Sequence, residues 1–359
     1  MNGQTQVVEL NAPSMKARIT IGANAAKERL PLLTAGQVNF VLTDCNVYAL
    51  HRDFFEEYFK NTEIYVLPAG EEYKTFQSLE NILLAMTKAG LLRTSKLFAV
   101  GGGVVGDIGG LAASLYMRGI ACVQVPTTLL AQVDSGVGGK TAVDLGGVKN
   151  IVGAFYQPQE VIVDSRFLAT LPAREIKCGM GEIVKYAALD GAFFDELSAN
   201  TERLGSLEFL SGLIAESIRL KAGVVERDEK ETGERKCLNV GHTTGHAIEL
   251  SHGFSHGEGV LYGMLLETQI ALLLGVCEKE YGEKLIKIVQ SAIAVAPYQK
   301  PDFSSIAVDA EKAKADKKNT QSGLITLAVA KAKNEWTTVS LSFERYVRML
   351  LEGIKALGL

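Results

Sequence analysis

Apolar and polar positions follow two different rhythms along this chain. In the first half, short runs rich in β-branched residues recur: ARITIG, NFVLTD, EIYVLP, KLFAVGGG, ACVQVPTT and VIVD. Runs of this length, bounded by Gly, Pro, Asn or Asp, predict strands. Between them, AAKERLPLL and SLENILLAMTKAG space apolar residues three and four apart and stop at or near glycine, which predicts helices. Strands alternating with helices give an α/β domain with a mostly parallel sheet. Beyond Pro172 the rhythm becomes amphipathic-helical, in AREIKCGMGEIVKYAALDGAFFDEL, LSGLIAESIRLKAGVVERDEK and GEGVLYGMLLETQIALLLGV. A turn-rich DKKNTQSG then precedes the β-like ITLAVA, and a helix closes the chain near LEGIKAL. The expected division is an α/β domain over residues 1–171 and a mainly helical domain over 172–359.

Length supports that division, because 359 residues exceed what one core usually holds. Apolar residues make up 47% and charged ones 22%, which places the chain among globular proteins. A net charge of -4 carries no basic footprint for nucleic acid, although local Lys and Arg clusters can still grip a small anion. The five cysteines, Cys45, Cys122, Cys178, Cys237 and Cys277, are widely spaced and read as reduced thiols. No signal-peptide pattern and no uninterrupted apolar stretch of about 18 residues is visible, so a cytoplasmic protein without membrane partners is expected.

Within KLFAVGGGVVGDIGGLAASLYMRG, Gly101, Gly103 and Gly106 satisfy G-x-G-x-x-G between a strand and a helix. Such a loop lets the backbone approach a pyrophosphate, whose charge suits the free N–H groups of a helix start. The next strand ends in Thr127 and Thr128, not in the acidic residue that usually holds a ribose. Asp44, closing an earlier strand, is placed either for that ribose or as a helix cap.

Four of the five histidines, His242, His246, His252 and His256, fall within fifteen positions. His242 and His246, four apart, share one face if the segment is helical. Imidazole is the commonest metal ligand and is suited to proton transfer near neutrality. A catalytic zinc takes about three protein ligands, so two histidines call for a carboxylate. Glu182, in an otherwise apolar stretch, is the candidate; a plain salt bridge to Lys185, one turn on, is the alternative. Asp134, Lys140, Lys149 and Asn150 lie in a glycine-rich segment, and Lys221, Arg235 and Asn239 precede the histidines. Cations converging from separate segments suit a substrate bearing carboxylate and phosphate.

Taken together, GGGVVGD, RGIACVQVPTTLLAQVDSGVGGK, KNIVGAFYQP, GMGEIVKY, DEKETGERKCLNVGHTTGHAIE and HGEGV resemble, in order, the motif series of the 3-dehydroquinate synthase family. The resemblance runs from about Asp44 to the DKKN segment. It implies a Rossmann-like N-terminal domain, a helical C-terminal domain and an active site in the cleft between them. It also implies conversion of 3-deoxy-D-arabino-heptulosonate 7-phosphate (DAHP) to 3-dehydroquinate and phosphate, in the shikimate pathway. That reaction runs by transient oxidation with NAD, phosphate elimination, re-reduction and aldol closure, helped by one divalent metal, zinc or cobalt. Carried over motif by motif, the metal ligands are Glu182, His242 and His256, and His246 is catalytic. Asp134, Lys140, Asn150, Lys185, Lys221, Glu231, Arg235 and Asn239 belong to the substrate pocket, and Arg118 reaches across a homodimer interface. For NAD the matching positions are Asp44, Asn46, Glu71, Lys74, Gly103, Val104, Val105, Gly106, Asp107, Thr127, Thr128, Phe167 and Thr170, with Lys140 and Lys149 shared between cofactor and pocket. The sequence departs from the family habit at Gly136, Ala142, Asp144 and Gly181. His252 is an extra potential ligand, and Lys317 and Lys318 compete as the phosphate-contacting lysine.

Overall fold

A computed structural model describes residues 5–295, 301–315 and 323–359. The chain divides into two compact units, Met1–Leu171 with Ser217–Lys230, and Pro172–Glu216 with Glu231–Leu359. A contiguous boundary at Leu171 therefore misses one element. The helix Leu207–Arg227 starts in the second unit and ends in the first.

The first unit is built on a seven-stranded sheet. Its strands in chain order are β1 (Gln6–Asn11), β2 (Lys16–Ile21), β3 (Phe40–Asp44), β4 (Glu63–Leu67), β5 (Lys96–Gly101) and β6 (Ala121–Pro126). An antiparallel hairpin, β7 (Lys140–Leu145) and β8 (Val148–Phe155), stands outside it, and β9 (Glu160–Val163) completes it. The spatial order is β1-β2-β9-β6-β5-β3-β4, parallel throughout except for the β1–β2 pair. Central strands buried on both faces read as continuous apolar runs. In β3, Phe40 and Leu42 enter one core cluster while Val41 enters another. The chain runs from β3 outward to β4 and from β5 the other way to β6, so it leaves the adjacent strands β3 and β5 in opposite directions. Their carboxyl ends flank the switch point at which open α/β sheets bind ligands.

The second unit is mainly helical, with one antiparallel hairpin of β10 (Leu324–Ala332) and β11 (Glu335–Ser342). Three of its helices, Ala173–Leu189, His242–His252 and His256–Leu273, pack backbone to backbone at glycines. A Cβ at Gly181 would stand 2.5 Å from the Gly257 carbonyl oxygen, and one at Gly245 would stand 2.6 Å from that of Gly259. Both are closer than side chains approach, so the helices meet because these positions lack a methyl group. No helix among the described residues is long and apolar enough to cross a membrane.

Candidate functional site

In the first unit, the glycine loop lies where its sequence places it. β5 ends at Gly101 and the helix Gly103–Leu115 starts at once, with Gly102 at its N-cap. Glycine brings no side chain to the first N–H groups of that helix, on Gly103, Val104 and Val105, so they remain available for an anion. Thr127 follows β6 and donates its backbone N–H to the Gly101 carbonyl at 2.9 Å; a Cβ on Gly102 would come within 3.0 Å of the Thr128 methyl. These contacts fit a backbone cradle for a dinucleotide.

Asp44 closes β3, and its Oδ1 accepts from the N–H groups of Asn46 (2.9 Å) and Val47 (3.0 Å), capping the helix Cys45–Leu50. Of the two readings of Asp44, the cap is visible directly. Asn46 and Thr170 are exposed, and Phe167 is buried with its ring edge against His51 at 4.9 Å. Lys74, 4% exposed, donates to Asp107 at 2.6 Å and to Asn150 Oδ1 at 2.5 Å, with Glu71 at 3.8 Å. Three separated segments thus converge on one ammonium. Asp144 supports this junction: its Oδ1 accepts from Asn150 N at 2.7 Å, and its own N–H donates to the Lys74 carbonyl at 2.8 Å. Asn150 holds a left-handed φ of 52° there.

Lys221, 5% exposed, donates to the backbone oxygen of Asp134 at 2.6 Å and pairs with its carboxylate at 2.9 Å. Asp134 lies in a single π-helical turn, Ala131–Ser135, a distortion frequent at functional sites. Lys140 and Lys149, in the hairpin, are exposed. Arg118 is also exposed, on a turn where both it (φ 68°) and Met117 (φ 49°) are left-handed.

In the second unit, Glu182 is wholly buried and pairs with the equally buried Lys185. Its Oε1 stands 3.5 Å from His242 Nε2 and 3.2 Å from His256 Nε2, yet forms a regular hydrogen bond with neither. The salt bridge of the alternative reading is present, and the same carboxylate also faces the two imidazoles. Burial opposes ionisation of Glu182, but the Lys185 ammonium and the two imidazoles hold its carboxyl well below the usual range. Nitrogens of His242, His246 and His256 lie within 4.8 Å of one another. The Nδ1 of His242 is 3.1 Å from the Val240 carbonyl and that of His256 is 3.4 Å from Glu249 Oε2. Fixing Nδ1 in this way turns Nε2 inward, as metal-binding histidines require. A buried anionic oxygen facing two oriented imidazoles fits a divalent cation, with His246 beside it.

His252 takes no part in this arrangement. Its Nε2 is 3.1 Å from Asp309, which also accepts from Ser305 Oγ at 3.1 Å. Arg235 is 1% exposed in the 3₁₀ turn Glu234–Asn239, and Asn239 Nδ2 donates to Glu231 Oε1 at 2.7 Å. Glu231 is left-handed at φ 59°. Lys317 and Lys318 lie outside the described residues.

Two carboxylates escaped sequence reasoning. Glu249 orients His256, and the buried Glu267 accepts from the N–H groups of Gly241 (2.9 Å) and Thr244 (2.7 Å), capping the helix that opens with His242. For Glu249 a signal existed, since it sits seven residues after His242 and so shares its helix face.

Residues 64–178 match the family described as 3-dehydroquinate synthase N-terminal, and residues 179–319 match 3-dehydroquinate synthase C-terminal. The chain is 45% identical over 272 residues to a 3-dehydroquinate synthase of Caldanaerobacter subterraneus, spanning 72% of this chain and 76% of that one. It is 40% identical to one of Vibrio atlanticus, over 79% and 82% of the two chains. Among solved structures, a 2-deoxy-scyllo-inosose synthase complexed with carbaglucose-6-phosphate, NAD+ and Co2+ superposes with a TM-score of 0.82 at 25% identity, covering 97% of this chain and 100% of that chain. An iron-containing alcohol dehydrogenase from Thermococcus thioreducens shares the fold at 16% identity, with a TM-score of 0.67 over 94% and 98% of the chains. With both halves matched and curated relatives aligned over most of their length, the chain belongs to the 3-dehydroquinate synthase family.

Proposed function

We propose that this enzyme converts DAHP to 3-dehydroquinate and inorganic phosphate, using NAD and one divalent metal. The observation that carries the reading is the convergence of Glu182 Oε1 with the inward Nε2 atoms of His242 and His256. Bound NAD supplies a reversible hydride acceptor, and a bound zinc or cobalt ion supplies Lewis acidity at the substrate hydroxyls. Glu182, His242 and His256 hold the metal. Lys185 keeps Glu182 ionised in its dry surroundings, and Glu249 and the Val240 carbonyl fix the imidazoles.

For NAD, the loop residues Gly103, Val104, Val105, Gly106 and Asp107 take the pyrophosphate region. Lys74 and Glu71, with Asp44, Asn46, Thr127, Thr128, Lys149, Phe167 and Thr170, complete that site. Asp134, Lys140, Asn150, Lys221, Glu231, Arg235 and Asn239 bind the substrate, with His246 placed for proton movement at the reacting carbon. Arg235, Asn239 and His246 together suit a carboxylate-bearing substrate, as guanidinium, amide and imidazole N–H groups can donate to its oxygens. Arg118 serves the neighbouring copy of a homodimer; its exposure on a strained turn supports that role.

The test is incubation of the purified protein with DAHP, NAD and zinc or cobalt, following phosphate, dehydroquinate and the NADH absorbance. Phosphate and dehydroquinate in equal amounts with no net NADH are expected. No turnover, or steady accumulation of NADH, overturns the proposal. A second reading, a sibling sugar-phosphate cyclase, draws on the 0.82 superposition with the inosose synthase. Turnover of a phosphorylated sugar without a carboxylate, in preference to DAHP, would favour it.

A further inference from the structure

Glu229 has no part in the chemistry above, yet it is 5% exposed and stands two residues beyond the helix Leu207–Arg227. Its carboxylate accepts from the Ser14 backbone N–H at 3.0 Å, from the Ser14 hydroxyl, and from Gln157 Nε2 at 2.9 Å. Burial opposes its charge, but the bonds from Ser14 and Gln157 hold the carboxyl below the ordinary range. Ser14 belongs to the turn between β1 and β2, so one side of the carboxylate fastens the helix end to the sheet. Eight residues earlier on the same helix is Lys221, seated on Asp134.

The other side of the carboxylate reaches the hairpin. Gln157, 2% exposed, lays its amide over Gly139, where a Cβ would meet Gln157 Cδ at 2.8 Å. Gly139 is left-handed at φ 68°, and its carbonyl accepts from Tyr156 N at 2.7 Å. The next residue is Lys140, the first of β7. One buried carboxylate thus fixes the backbone under Lys140 and the helix bearing Lys221.

We propose that Glu229 is a positioning residue for substrate binding, setting the separation of Lys140 and Lys221 by holding Gln157 with one oxygen and Ser14 with both. The proposal rests on the reading of those two lysines as substrate ligands. Three donors converge on this carboxylate, whereas an amide offers one accepting oxygen, so Glu229→Gln turns an N–H toward at least one donor.

The test is steady-state kinetics on the full chain loaded with NAD and metal, comparing Glu229→Gln, Ser14→Ala and Lys221→Ala with the parent. The KM for DAHP should rise about tenfold in Glu229→Gln, the size expected for one buried donor left unmet, and about two- to threefold in Ser14→Ala. In both, kcat should stay within about threefold with metal content unchanged, because neither displaced lysine belongs to the metal-binding set. An unchanged KM in both, with only the melting temperature or active fraction lowered, reduces Glu229 to a brace and overturns the proposal. Should Glu229→Gln fail to fold, Ser14→Ala decides by the same criterion. Lys221→Ala separates the two levels: an unchanged KM there removes Lys221 from the site and the proposal with it. A raised KM there, beside unchanged values in the other two, overturns the positioning role alone.

Discussion

Around the glycine loop, the candidate binding groups are backbone N–H donors and side chains at the carboxyl edge of a sheet, several of them exposed. Around Glu182, they are side chains on three helices whose backbones touch at glycines, and the central carboxylate has no exposure. The first arrangement tolerates change because water can solvate what a substitution leaves behind. The second cannot, because each buried group depends on its neighbour. A chain can thus hold a large, flexible cofactor on an open edge while a small ion demands a closed shell.

The largest expected effect breaks the closed shell. Glu182→Gln removes the charge shared by Lys185 and the two imidazoles. Metal content by elemental analysis should fall, and kcat/KM should drop by about a thousandfold or more, since Lewis-acid stabilisation is worth several kcal/mol. Full metal content in this variant would remove Glu182 from the ligand set. Next, Glu249→Gln leaves the ligands in place but loosens His256, so metal affinity should weaken by about 10- to 100-fold, with activity recovered at high metal concentration. Failure of added metal to restore turnover would refute an orienting role.

Gly181→Ala should cost about 1–3 kcal/mol of stability, because the added methyl meets the Gly257 backbone. An unchanged melting temperature would show that the helices give way freely. On the open edge, Asp44→Ala should cost about 1 kcal/mol through the lost helix cap. NAD affinity, read by fluorescence titration, distinguishes a cap alone from a cap that also meets the ribose.

The smallest effect is one of pH. Burial disfavours a charged His256, but Glu182 and Glu249 outweigh it and raise the pKa from 6.5 to about 9. In metal-free protein the folded state therefore holds the proton more tightly than the unfolded chain. Its stabilisation is full below about pH 6.5 and is lost as pH rises through 9. Metal must displace that proton, so the metal-loaded protein should lack this decline in thermal melts from pH 6 to 9.

Much of this was legible in the chain. ARITIG, NFVLTD, EIYVLP, KLFAVGGG, ACVQVPTT and VIVD all became strands: in β3, β5, β6 and β9 burial on both faces writes itself as a continuous apolar run, while the partly exposed edge strand β4 is marked by its β-branched and aromatic residues. The hairpin Lys140–Phe155 did not announce itself. Its second strand is largely exposed and carries glycine, so neither alternation nor apolarity marks it. At the site, the histidine spacing was readable because His242 and His246, four apart, share a helix face. Glu267 was not, since it caps N–H groups 23 and 26 residues away, a relation set by packing alone. His252 looked like its neighbours in sequence, but a turn at Gly253 separates its helix from the one beginning at His256, and it pairs with Asp309.

The return of Ser217–Lys230 to the first unit has a consequence for synthesis. Emerging from the ribosome, the chain has made every strand of the large sheet by Val163, yet that unit lacks Lys221 and Glu229 until residue 230 has appeared. By then Glu182 has been made, while both of its imidazole neighbours have not. Neither unit can finish before the other has begun, and a gene cut at residue 171 would release a sheet without its last helix.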